Sequence, residues 1–148
     1  MASTTVKITN DNSETAKLVS HHDYDEGHIK GHYPEEIKKG HTIEFVFESK
    51  EGIVPGVSSG AVVYKGENEK GKKFDWMYAW YNTSGFEVNV YKAYTEIAKE
   101  NHVWKWHEVQ EKLMKSGTSS HAEYENCVSD ASITQQGSAT YKGIMSLG

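Results

Sequence analysis

A histidine-rich stretch from His21 to His32 carries the side chains that could bind a metal ion or titrate near neutral pH. It combines four of the eight histidines of the chain with three carboxylates. Gly27 and Gly31 disfavour a helix, so a pair of histidines one helical turn apart is not expected. On an extended chain, His28 and His32 would lie about 13 Å apart, too far to share one ion. We predict no metal site and no cofactor, with a His-rich metal-binding protein as the minor alternative.

Residues that could serve hydrolysis or phosphate binding do not fall into a catalytic motif. Gly56 to Gly60 matches the Gly-x-Ser-x-Gly pattern in its letters, but the strand-like residues after it do not provide the helix that follows a nucleophile elbow. The loop from Gly52 to Gly60 is rich in glycine, but the β-branched residues after it indicate a strand rather than the helix of a phosphate-binding loop. Cys127 is the only cysteine and lies in a segment typical of a strand. We therefore expect no catalytic residues and no enzyme activity.

Aromatic side chains are concentrated in one segment, Phe74 to Tyr81, whose alternation is typical of a strand. Trp76, Tyr78 and Trp80 share one face of this strand. Neither face is polar, so the strand is either buried on both sides or presents its rings to a ligand. Flat rings suit stacking on a sugar or attraction of a choline group. We predict ligand contacts at Trp76, Tyr78, Trp80 and Tyr81.

The apolar period changes from two to 3.6 residues in the second half of the chain. No glycine or proline occurs from Ala93 to Lys115, and apolar residues recur there at helical spacing. We predict a helix that ends before Gly117, with either an earlier turn or a separate short helix around Tyr94 to Ala98. Trp104 and Trp106 are two positions apart and would point about 200° from one another. Trp106 is predicted to lie in the core and Trp104 to contact the ligand.

Strands are predicted on both sides of this helix. The most regular is Thr42 to Glu48, and glycine-rich turns mark a three-stranded antiparallel unit between Gly52 and Tyr91. The last strand of this unit is Phe86 to Tyr91, and the other predicted strands contain Val6 and Ile8, Leu18 and Ser20, Glu123 to Val128, and Ile133 to Met145 with a turn at Gln135 to Ser138. This order predicts a mainly β fold, a β-sandwich with one or two flanking helices.

Length and charge limit the classes of protein that this chain can belong to. Its 148 residues fit a single domain, residues 1–148. A net charge of -5 without a long basic stripe argues against binding of nucleic acid. A lone cysteine fits a reducing compartment, and the first residues lack the apolar run of a signal peptide. No segment approaches the length of a membrane span. We expect a soluble protein, cytoplasmic or released without a signal peptide.

The order of several short motifs resembles that of the actinoporins, the sea-anemone cytolysin family, and of the wider actinoporin-like group that includes fungal fruit-body lectins. The similarity extends over most of the chain. The matching stretches are Ile8 to Asn12 with the family's opening strand and turn, Ser59 to Val62 with its Gly-Ala-Val strand, and Trp76 to Ala79, Val88 to Tyr91 and Ile133 to Thr140 with its later landmarks.

This resemblance implies a β-sandwich flanked by a helix, which binds a membrane headgroup or a glycan at one end. Ser49 and Val62 stand where the family's phosphocholine pocket has Ser and Val, so the resemblance implies that both contact the ligand. Ala79 and Tyr81 replace the family's Ser and Pro, and the aromatic loop that should follow is shorter here. These departures alter the wall of the pocket.

A second departure concerns pore formation. In the family, an amphipathic N-terminal segment inserts into the membrane, whereas only Met1 to Thr5 precede the first strand predicted here. These residues are polar and too few for a spanning helix of about 20 residues. We therefore predict a non-enzymatic, lectin-like protein that recognises a glycan or a phospholipid headgroup and does not form pores alone. A pore-forming cytolysin is the alternative, and a homo-oligomer is compatible with either.

Overall fold

Most of the chain forms β-strands, in which apolar side chains at alternate positions face the core. The computed structural model describes residues 1–12, 14–85, 87, 89–136 and 138–148. Within these residues, the elements are β1 (Ser3–Asp11), β2 (Ala16–Asp23), β3 (His28–Lys30), β4 (Glu36–Ile37), β5 (Thr42–Glu48), β6 (Gly56–Glu67), β7 (Lys73–Ser84), β8 (Tyr91–Lys99), α1 (Trp106–Lys115), β9 (Ser119–Tyr124), β10 (Cys127–Ile133) and β11 (Ser138–Leu147).

The strands form two sheets that pack face to face. The six-stranded sheet has the order β3-β5-β1-β11-β10-β9, and the five-stranded sheet has the order β4-β2-β6-β7-β8. β1 and β11 pair in parallel, which places the first and the last strand of the chain side by side. Helix α1 packs against the outer face of the five-stranded sheet. The mainly β sandwich predicted from the sequence is confirmed, with one helix on its side.

The aromatic strand β7 is buried on both faces, which decides between the two alternatives for this segment. Phe74, Trp76, Tyr78 and Trp80 lie between the sheets in the main core. On the opposite face, Met77 and Ala79 are covered by the apolar stripe of α1. Full burial of a large apolar side chain stabilises the fold by roughly 1.5–3 kcal/mol, so the aromatic content of β7 is explained by the core.

The helix is shorter than predicted. Residues 91–99 form strand β8, where Ala93, Thr95 and Ile97 alternate onto the inner face. Thr95 Oγ1 donates a hydrogen bond to the carbonyl of Met77 and is also 2.6 Å from Ser129 Oγ, which ties β8 to both sheets. The prediction of helix from Ala93 onwards is wrong because tertiary pairing with β7 outweighs the helical propensity of this stretch.

Two other strand predictions need correction. The strand predicted from Glu123 to Val128 is a hairpin, because Glu125 and Asn126 both have positive φ angles, 46° and 68°, as in the tight turns that join twisted strands. The strand predicted from Phe86 to Tyr91 is not present at residues 87, 89 and 90. Phe86 and Val88 themselves lie outside the described residues.

Candidate functional site

Five of the seven residues predicted to contact a ligand are buried. Trp76, Tyr78 and Trp80 are fully buried because even-numbered side chains of β7 point between the sheets. Val62 lies in the same core. Ser49 is 1% exposed, and its Oγ accepts a hydrogen bond from the backbone N–H of Ala2 at 2.9 Å. In this structure these five side chains hold the sandwich together and are not accessible to a ligand.

Tyr81 and Trp104, the other two predicted residues, are half-buried and lie on the outer side of the five-stranded sheet. Tyr81 is on β7, paired with Lys92 of β8. Burial and the nearby carboxylate of Asp25 raise the pKa of Tyr81 above its ordinary value, so its hydroxyl stays protonated and can donate a hydrogen bond. The structure therefore leaves two accessible aromatic residues from the predicted set.

Trp104 belongs to a row of rings beside α1 that the sequence did not predict. The indole of Trp104 lies 6.3 Å from that of Trp106, with 19° between the planes. Trp106 stacks in turn on His22 of β2, at 5.4 Å and 14°. Trp106 was predicted to be in the core with Trp104 exposed, but both are half-buried. The segment before α1 is extended, so helical spacing does not apply to this pair.

A cleft opens between this row and β8, and we call it the tryptophan cleft. Its volume is about 190 Å³. Its lining includes Trp104, Glu96 and Lys105, with Glu108 and Lys112 from α1. Lys112 Nζ lies 3.4 Å from Glu96 Oε2, and the hydroxyl of Tyr94 donates to the same oxygen at 3.0 Å. The cleft thus combines an aromatic wall with an equal number of carboxylates and ammonium groups.

A second candidate surface lies at one end of the sandwich. Four of the seven large apolar side chains that are exposed among the described residues occur here: Met1, Ile53, Val54 and Met114. We call this group the apolar end. Val54 is the most exposed of the four, at 79%.

Contacts between neighbouring segments place these four residues at the same end. Ala2, which follows Met1, bonds to Ser49 just before the loop that carries Ile53 and Val54. A Cβ placed on Gly85, beyond the end of β7, would lie 3.0 Å from Val54 Cγ1. The hydroxyl of Ser116, two residues after Met114, donates to the carbonyl of Ala93 near the start of β8. Sequence analysis missed this cluster, although the pair Ile53-Val54 in a polar, glycine-rich loop was a signal for it.

A cleft of about 370 Å³ lies beside the apolar end. Asp25, Glu26 and Lys50 line it together with Ile53. Lys50 Nζ is 3.1 Å from Glu26 Oε2. Asp25 and Glu26 have positive φ angles of 55° and 58°, an uncommon backbone conformation for residues other than glycine. The turn after β2 therefore presents two carboxylates, and the segment after β5 one ammonium group, next to exposed apolar side chains.

The predicted histidine cluster is dispersed over several elements. His22 stacks on Trp106, whereas His21 stacks on Tyr33 at 4.1 Å. His28 of β3 lies 3.8 Å from Glu48 of β5. Among the residues that the structure describes, no three His, Cys, Asp or Glu side chains come together in a way that could hold a metal ion.

No helix within the described part of the chain is both long enough and apolar enough to span a lipid bilayer.

Comparisons with known proteins give a match in fold only. No family model matches the chain, and no curated protein matches it. Among solved structures, the chain is similar to the crystal structure of the lipid binding protein Nakanori at 1.5 Å, with a TM-score of 0.84 and 19% sequence identity over 98% of this chain and 71% of that chain. At this level of identity, the likeness shows the fold alone. The chain thus has the actinoporin-like sandwich that its motifs predicted.

Proposed function

We propose that this chain is a non-enzymatic protein that binds the surface of a lipid membrane through its apolar end. The observation that carries the proposal is the grouping of exposed Met1, Ile53, Val54 and Met114 at one end of the sandwich. Exposed apolar side chains that group together on a rigid scaffold mark surfaces that bind a partner. Insertion of such side chains to the boundary between headgroups and acyl chains, about 5–10 Å deep, removes them from water.

Polar groups next to the apolar end would contact the headgroups. Lys50 offers an ammonium group, and Asp25 and Glu26 offer carboxylates, within the cleft that Ile53 also lines. A zwitterionic headgroup presents one charge of each sign, so it can pair with both kinds of side chain. Tyr81, whose hydroxyl stays protonated, lies near Asp25 and adds a hydrogen-bond donor.

Two comparisons support a lipid partner. The solved structure that this chain resembles is that of a lipid binding protein, and the resemblance of the sequence motifs to the actinoporin-like group implies a membrane headgroup or a glycan as ligand. Ser49 and Val62 are buried, so in this structure neither side chain can contact a headgroup directly. We therefore assign recognition to the exposed loop residues rather than to the pocket that the resemblance implied.

The experiment is co-sedimentation of the purified chain with vesicles that enclose a fluorescent dye. Vesicles of phosphatidylcholine, of phosphatidylcholine with sphingomyelin, and of phosphatidylcholine with phosphatidylserine would be compared. We expect the protein to pellet with at least one composition while the dye stays inside. Protein that remains in the supernatant with all three would contradict membrane binding, and release of the dye would favour the alternative of a pore-forming cytolysin.

A further inference from the structure

We propose that Met114, together with Met1, is a site of reversible oxidation, and that oxidation of these two methionines releases the protein from membranes. Both residues belong to the apolar end, so the release rests on the proposed function, whereas the oxidation itself does not. The oxidant is hydrogen peroxide, and the reverse step needs a methionine sulfoxide reductase.

The four methionines of the chain divide into two exposed and two buried residues. Met1 is 62% exposed and Met114 is 39% exposed, whereas Met77 and Met145 are completely buried in the two apolar clusters. Cys127, the only thiol, is also completely buried. A peroxide has to reach a sulfur atom in order to oxidise it. Oxidation of sulfur is therefore confined to the apolar end as long as the protein stays folded.

A cleft on α1 gives access to the Met114 thioether. Its volume is about 350 Å³, and Gln110, Glu111 and Lys115 line it together with Met114. Gln110 and Glu111 precede Met114 by four and three positions on the helix, so these three side chains lie on the same side of α1. Glu111, Met114 and Lys115 are all exposed, so the cleft is open to solvent and to a small peroxide.

The modification transfers one oxygen atom to the sulfur. The thioether attacks one oxygen of hydrogen peroxide, and the O–O bond breaks as the S–O bond forms. The proton on the transferred oxygen passes to the departing oxygen, which leaves as water. The sulfur loses two electrons and the peroxide gains them. In the reverse step, two thiols of the reductase become a disulfide, and the sulfoxide oxygen leaves as water.

A sulfoxide at position 114 changes the chemical character of the apolar end. It is polar, whereas the thioether is apolar. The amide of Gln110 and the ammonium group of Lys115 are hydrogen-bond donors in the same cleft, so they can stabilise the new S–O group where it is in contact with water. Transfer of this group to the acyl chains would break such bonds and is costly. With Met1 also oxidised, two of the four side chains of the apolar end no longer favour insertion.

The test treats the folded, purified chain with dilute hydrogen peroxide in neutral buffer. Peptide mass spectrometry identifies the methionines that gain an oxygen atom, and circular dichroism checks that the fold is retained. Co-sedimentation measures binding to the vesicle composition that the untreated chain binds most tightly. We expect Met1 and Met114 to be oxidised well before Met77 and Met145, and binding to weaken by about tenfold or more. Methionine sulfoxide reductase supplied with a dithiol should restore the affinity.

Substitutions of methionine separate the modification from its consequence. Met114→Leu keeps an apolar side chain of similar size that peroxide cannot oxidise. Relative to its own affinity before treatment, this variant should lose at least about threefold less than the unaltered chain does. Met77→Leu is the matched control in the core, and it should lose as much as the unaltered chain. Met114→Gln places a polar group at the same position and should bind vesicles more weakly without any peroxide.

The possible failures are distinguishable. Oxidation of Met77 or Met145 as fast as that of Met114 would overturn the modification site, whatever the vesicles show. Unchanged vesicle binding by a chain that is oxidised at Met114, or equal losses in Met114→Leu and Met77→Leu, would overturn the role in release. An untreated chain that binds no vesicles would contradict the proposed function and the release with it, while the mass spectra would still decide the modification site.

Discussion

The imidazole of His22 lies nearly parallel to the indole of Trp106, with ring centroids 5.4 Å apart. This contact joins β2 to the first residue of α1. The hydroxyl of Tyr24 reinforces it by donating to the backbone carbonyl of Trp106 at 2.5 Å. Burial raises the pKa of Tyr24 to about 12, which keeps that donor protonated. Lys105, at the N-cap position, makes no capping bond with its side chain, so β2 rather than a cap holds the start of the helix.

Replacement of Trp106 should therefore destabilise the protein. We expect Trp106→Ala to lower the free energy of unfolding by about 1–3 kcal/mol, because it removes a half-buried ring that packs on His22 and Trp104. Met114→Ala is the matched control on the same helix, since its side chain is exposed, and its effect should stay within about 0.5 kcal/mol. Urea unfolding followed by circular dichroism measures both. Equal effects of the two substitutions would contradict the anchoring role.

Asp75 should make the stability of the protein depend on pH. It is buried on β7, and its Oδ2 accepts a hydrogen bond from the backbone N–H of His102 at 3.1 Å. Burial is the largest effect and raises the pKa of Asp75 above 3.8, although the N–H of His102 and the charge of Lys65 oppose it.

The sign of the pH dependence follows from this shift. A carboxyl group whose pKa is higher in the folded state than in the unfolded state makes its full contribution to the free energy of unfolding below pH 3.8. This contribution is lost as the pH rises through the pKa of the folded state. Asp75→Asn removes this titration while the size of the side chain is kept. The stability of the variant relative to the unaltered chain should thus increase as the pH rises above 3.8 and then level off. A difference that is constant with pH, in urea unfolding from pH 3 to 8, would refute this.

Cys127 should react slowly in the folded protein. Burial, with a smaller contribution from the carboxylate of Glu125, raises the pKa of its thiol to about 11. Thiolate is the reactive form, so little of it is present at pH 8. We expect an aromatic disulfide reagent to label Cys127 far more slowly in buffer than in urea. Similar rates in the two conditions would show that the thiol is accessible in the native state.

The close approach of β11 to Tyr78 should make Gly143 intolerant of a side chain. A Cβ at this position would lie 2.6 Å from Tyr78 Cδ1. The Tyr78 ring cannot move easily because it is fully buried and its hydroxyl accepts a bond from Ser129. Gly143→Ala should cost about 1–3 kcal/mol by overpacking. Gly117→Ala is the control because a Cβ there meets nothing within 4 Å. A variant Gly143→Ala as stable as this control would contradict the packing described here.

Much of the fold could be predicted because alternation reports directly on which side chains are buried. β5 was predicted with its observed bounds, and the aromatic alternation in β7 identified one of the longest strands. β8 was missed because Tyr94, Ile97 and Ala98 fit helical spacing as well as alternation. Pairing with the neighbouring strand β7, which local sequence spacing does not reveal, decides between helix and strand.

The accessible surface was harder to predict than the core. Trp76 and Trp80 were predicted to contact a ligand because their rings offer large flat surfaces. The same surfaces also pack well in a protein core, and in the structure the second sheet covers both residues. The pair Ile53-Val54 could be noticed in its polar loop, but loop residues carry no periodicity, so the sequence cannot show that they lie at the same end of the sandwich as Met1 and Met114. The grouping of exposed side chains into one surface therefore depends on tertiary proximity.

The most direct measurement of the central claim compares Val54→Asp with Val103→Asp in vesicle binding. The two valines are equally exposed, at 79% and 80%, but only Val54 lies in the apolar end. Removal of one inserted valine should weaken the free energy of vesicle binding by about 1.5–3 kcal/mol, which corresponds to at least a tenfold change in affinity. We predict that Val54→Asp binds vesicles at least tenfold more weakly, whereas Val103→Asp binds like the unaltered chain. Vesicle binding that is unchanged in Val54→Asp, or weakened equally in both variants, would contradict binding through the apolar end.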